Sequence, residues 1–97
     1  MKTLKLIDLK FNVPGVNKPD TLYLINECLN NTPEGGYSYE DLKNRQRIEK
    51  ACEKAKATSI QFEDNDASNL QDIVQSMRWA MRHDDIMNFC KDVENMK

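Results

Sequence analysis

Apolar and polar residues change rhythm repeatedly along this chain, and each rhythm predicts an element. From Leu4 to Val13 the period is two: Ile7, Leu9, Phe11 and Val13 alternate with Asp8, Lys10 and Asn12, the pattern of a half-buried strand. Leu4 and Leu6 alternate in the opposite phase, which marks a bulge or a strand start near residue 6. Pro14-Gly15 ends the run. Asp20 then stands as an N-cap for a helix to about Asn30, with Leu22, Ile25, Cys28 and Leu29 on its inner face. The stretch from Asn30 to Gly36, with Pro33 and paired glycines, is a loop. Ser38, with Asp41 three residues on, opens a central helix to about Lys56. Thr58 to Glu63 reads as a second strand with Ile60 and Phe62 on one side. Asn65 or Asp66 caps the next helix, whose apolar stripe is Leu70, Ile73, Val74, Met77 and Met81. His83-Asp84-Asp85 bends the chain, Asp84 caps a last helix, and Ile86, Phe89, Cys90 and Val93 line it to about Asn95.

The predicted order is β-α-α-β-α-α: an α+β fold of a small two-stranded sheet packed with about four helices, in a single domain spanning residues 1–97. A two-stranded sheet is marginal until helices cover it, and each strand keeps an edge that could serve a homodimer. With 39% hydrophobic and 31% charged residues the chain is globular rather than disordered. Three cysteines, Cys28, Cys52 and Cys90, stand far apart in predicted helices and read as small buried hydrophobes of a reducing compartment. With no apolar run of membrane-spanning length, a cytoplasmic location is expected.

Net charge is -2, an argument against general affinity for nucleic acid or anionic membranes. The charge is uneven: residues 1–56 carry 10 basic and 8 acidic side chains, and residues 57–97 carry 4 and 8. On the central helix Lys43, Arg47, Lys50 and Lys54 follow i, i+4, i+7, i+11, which draws one basic stripe, while Ile48, Ala51, Cys52 and Ala55 draw an apolar one elsewhere. Such a stripe is a solvated face, a seat for an acidic protein, or a phosphate-contacting face; it has no interleaved aromatic for base stacking. Arg45 falls beside the apolar stripe and is read as a snorkelling stem whose head reaches water or a carboxylate. Trp79, flanked by Arg78 and Arg82, is either covered by the last helix or an exposed anchor of the kind that dominates interfaces.

Catalytic chemistry is sparse. The single histidine, His83, has no nucleophile signature around it and reads as an interhelical turn residue. Asp64-Asn65-Asp66-Ala67-Ser68 begins like a calcium loop, but Asn69 replaces the required glycine and Gln75 the closing glutamate, so it reads as helix-capping chemistry. Gly35-Gly36 precedes a helix N-terminus, yet Glu34, Glu40 and Asp41 surround that end with negative charge. No catalytic residue, metal or cofactor is expected.

The layout resembles small proteins encoded in tailed-phage and prophage genomes. The likeness lies in the opening Leu4-Lys5-Leu6-Ile7-Asp8, the charged helix from Tyr39 to Ala55, the short strand Ile60-Gln61-Phe62 and the closing helical pair. What the resemblance implies is a compact accessory or assembly protein that works by binding; it carries no site residue. The expected function is therefore non-enzymatic protein binding, self-association included, through a strand edge or helix surface. The candidate residues are Lys43, Arg47, Lys50, Lys54, Arg78, Trp79 and Arg82, and a small nucleic-acid-binding regulator is the alternative.

Overall fold

A computed structural model describes residues 1–97, ordered β1 (Lys2–Lys5), α1 (Thr21–Leu29), α2 (Tyr39–Glu53), β2 (Ser59–Phe62), α3 (Asp64–Ser76) and α4 (Asp84–Glu94). This is the small α+β fold that the sequence predicts, with one antiparallel sheet of two strands. Leu4 pairs across from Ile60 in that sheet, and Lys2 from Phe62. Leu4, Ile60 and Phe62 turn inward, and every helix adds apolar side chains to the same cluster: Leu24, Ile25 and Cys28 from α1, Ile48 from α2, Leu70 from α3, Phe89 and Val93 from α4. The short sheet is stable because helices cover its inner face.

The predicted strand from Leu4 to Val13 is not one strand. Pairing with β2 stops at Leu6, whose N–H donates to the Thr58 carbonyl at 2.9 Å. The chain then changes partner. Leu9 N–H donates to the Pro19 carbonyl, Thr21 N–H donates to the Ile7 carbonyl, and Asp8 and Asp20 form an isolated bridge. The phase change at residue 6 therefore marks an exchange of partner rather than a bulge. Thr21, the first residue of α1, closes the junction: its buried hydroxyl accepts from the Ile7 N–H at 2.9 Å. Asp20 caps α1 as expected, accepting from Leu22 and Tyr23 N–H groups.

Arg45 joins α1 to α2. Its Nη1 donates to both the Cys28 and Leu29 carbonyls at 2.9 Å, at the C-terminus of α1, and its guanidinium lies 5.1 Å from the Tyr37 ring centre. The head of this arginine thus reaches not a carboxylate but the orphan carbonyls and negative dipole end of a neighbouring helix. Ser38 and Asp41 form the expected capping box of α2.

Four helix boundaries differ from the periodicity. The central helix ends at Glu53, and Lys54 is its C-cap. α3 begins at Asp64, with neither Asn65 nor Asp66 as cap; β2 runs into it through Glu63 alone, and Asp64 and Asp66 in the first turn complement the helix dipole without capping it. It ends at Ser76, where Met77 turns extended, so Arg78, Trp79, Met81 and Arg82 lie in a connector and not on a helix. His83, not Asp84, caps α4: Nδ1 accepts from the Asp85 N–H at 3.0 Å, which requires the proton on Nε2.

The pairing decides which sheet edge is open. Because Leu6 and Thr58 form a hydrogen-bonded pair, Leu4–Ile60 and Lys2–Phe62 do too, and the intervening residues point their backbone groups outward. On the outer side of β1, Thr3 N–H donates to the Lys97 carbonyl at 2.9 Å. On the outer side of β2 the Ser59 carbonyl accepts from Lys56 N–H, while the Ser59 N–H and both backbone groups of Gln61 have no protein partner.

Two substitutions test these joints. Thr21→Val keeps the shape but strands the Ile7 N–H, and is expected to lower unfolding free energy by about 1–3 kcal/mol in urea titrations, with Thr21→Ser losing less. Arg45→Met removes two charge-assisted bonds and is expected to cost about 2 kcal/mol by the same measurement.

Candidate functional site

The basic stripe of α2 does not act as one surface. Lys43 folds back along its own helix, 3.4 Å from Glu40 Oε2 and 4.7 Å from the centre of the Tyr39 ring. Arg47, Lys50 and Lys54 instead line a shallow cleft of about 460 Å³ between the C-terminal half of α2, the outer edge of β2 and the start of α3. Lys56 joins them. Wheel geometry continued to Lys56 turns that residue away from the stripe; because the helix ends at Glu53 and Lys56 N–H bonds to the Ser59 carbonyl, it returns to the same side. Ser59 and Gln61 form the edge of the cleft, and Glu63, Asn65 and Asp66 its far rim. Nothing in the sequence marked Ser59 or Gln61, since an edge is a property of the pairing and not of a residue.

The cleft concentrates positive charge on a chain of net charge -2. None of these four side chains is in an ion pair, and Arg47, Lys50, Lys54 and Lys56 are all exposed; the N-terminal ammonium of Met1, which also lines the cleft, pairs with Asp64 at 3.4 Å. Exposed ammonium and guanidinium groups beside unpaired backbone donors and acceptors can hold carboxylates and extended backbone. The cleft contains no cysteine, histidine or aromatic ring.

The second candidate cluster disperses. Trp79 is half-buried and packs edge-on against Phe89 of α4, ring centres 6.1 Å apart. The last helix does cover it. Arg78 and Arg82 flank it on the exposed connector without ion pairs.

The remaining chemistry-bearing residues hold structural posts. His83 caps α4 and meets the Phe11 ring edge-on at 5.0 Å; Asp85 accepts from the Lys10 N–H at 2.6 Å. Asp64 to Ser68 is helical throughout, so its oxygens cannot wrap around an ion as a calcium loop does. The N-terminus of α2 beyond Gly35-Gly36 is filled by its own Ser38 and Asp41. Burial pushes the Cys28 thiol up to about 12, with Cys90 and Glu27 adding and Arg45 opposing. Burial, then Glu49 and Glu53, pushes Cys52 up to about 11, and burial also raises Cys90.

Compared with protein-family models, curated proteins and solved structures, this chain matches none. No helix is long and apolar enough to cross a membrane. The site therefore rests on its geometry alone.

The thiols give a direct check. Cys28 and Cys52 stay protonated at neutral pH, so iodoacetamide should label them far more slowly in the native protein than in urea, read by mass spectrometry. Because folding raises both values from 9.0, their contribution to stability is complete below that pH. It is lost as pH rises through the folded values, so unfolding free energy should decline on the alkaline side.

Proposed function

We propose that this protein works by binding another protein rather than by catalysis, and that it seats an acidic segment of its partner against the C-terminal half of α2. The observation that carries the reading is the convergence of Arg47, Lys50, Lys54 and Lys56, from helix, cap and loop, on one cleft of an acidic chain. Local positive potential of this kind steers and holds carboxylates. The other polar groups support a binding role: His83 is engaged as a helix cap and the cysteines are held as thiols.

The nucleic-acid reading uses the same cations, and two features favour protein over it. The cleft offers no ring on which a base could stack, and Glu63 and Asp66 oppose a continuous run of phosphates along the far rim. A partner with carboxylates on one side only suits such a half-basic cleft.

The test is fluorescence anisotropy with a labelled oligoglutamate peptide and a labelled oligothymidylate, at low and raised salt. The peptide should bind, weaken with salt, and lose about tenfold or more in affinity with Lys50→Glu and Lys54→Glu combined. Lys43→Glu, on the self-paired residue, should change little. Tighter binding of the oligothymidylate, with loss in the same double variant, would replace this reading by the nucleic-acid one.

A further inference from the structure

The cleft is walled on one side by a strand with an unpaired outer edge, and this defines how a partner would lie in it. We infer that the acidic segment binds as an extended chain added to the outer edge of β2, making a third strand beside Gln61. The inference rests on the protein-binding reading above and specifies its geometry.

Gln61 has both an N–H and a C=O on the outer edge of β2, Ser59 a further N–H, and both residues line the cleft. An exposed strand edge pairs most naturally with another backbone, since extended chain is the ligand that supplies donors and acceptors at this spacing. The Ser59 carbonyl is already taken by the Lys56 N–H, so the addition is short and centred on Gln61. The opposite edge of the sheet does not compete in the same way, because Thr3 bonds to Lys97 there.

Charge then selects the occupant. Side chains of an added strand alternate in direction, so only every second one can face α2. Arg47, Lys50 and Lys54 line that wall, which calls for acidic residues at alternate positions and places no charge requirement on those between. A second copy of this chain would bring one basic wall against another. An acidic segment brings opposite charge along the length of the edge.

The probe is a blocked peptide of alternating Glu and Thr, with two analogues N-methylated either at every Glu or at every Thr. An added strand shows only one of its edges to β2, so one methylation phase should weaken binding by about tenfold or more while the other leaves it nearly intact. With the unmethylated peptide, hydrogen exchange at the Gln61 and Ser59 amides should slow. Equal effects of the two phases, or unchanged exchange at Gln61, would overturn strand addition yet leave acidic binding standing. No binding of the parent peptide would remove both. Protection of the Gln61 amide in the protein alone, rising with its concentration, would assign the edge to a second copy instead.

Discussion

Where the guanidinium of Arg45 lands decides how the middle of this molecule is arranged. It satisfies two carbonyls at the end of α1 that would otherwise be orphaned, and it does so from within α2. That contact sets the rotation of α2 about its own axis. Arg47, Lys50 and Lys54 lie roughly 140–200° around the helical wheel from Arg45, so pointing Arg45 at α1 throws them to the far side. The far side is where β2 and the start of α3 lie. One buried polar requirement, the capping of a helix C-terminus, thus places the cations of the cleft.

The second constraint is the shortness of the sheet. With two strands only, each outer edge must be closed by other means or left open. β1 is covered in part, its Thr3 N–H bonding to the Lys97 carbonyl, and the chain beyond it is drawn away at Leu6 to pair with residues 19–21. Thr21 makes that exchange possible by satisfying the Ile7 N–H at the junction. β2 is left open at Gln61, and the cations gather there. Exposed charge beside an edge discourages like edges from pairing and attracts an oppositely charged chain.

The lone histidine shows why residue type alone is a poor guide to chemistry. In this structure His83 begins a helix, and the next turn of interactions ties the N-terminal loop to α4 through Asp85 and the Lys10 backbone. Its acceptor nitrogen is committed to the Asp85 N–H, and its ring to Phe11. Such a residue contributes to the fold by the same lone pair that a catalytic base would need.

Properties carried by neighbours along the chain were legible in the sequence. Asp20 and the Ser38–Asp41 box capped their helices because capping needs only a side chain and a backbone amide a few residues apart. The inward faces of β2 and α4 followed from periodicity. The order of elements followed from the breaks between runs. Properties set between distant segments were not legible. The exchange of partner at Leu6, the destination of Arg45 and the half-buried setting of Trp79 depend on which segments meet. Alternation reports that a residue is extended without saying what it pairs with, and a wheel assumes a helix that the chain had already left at Ser76. The sequence by itself determined the elements and the supply of charge. Only the tertiary structure decided that Lys56 joins Arg47, Lys50 and Lys54, and that they border an unpaired edge at Gln61, because hydrogen-bond parity across a sheet exists only once two strands are aligned.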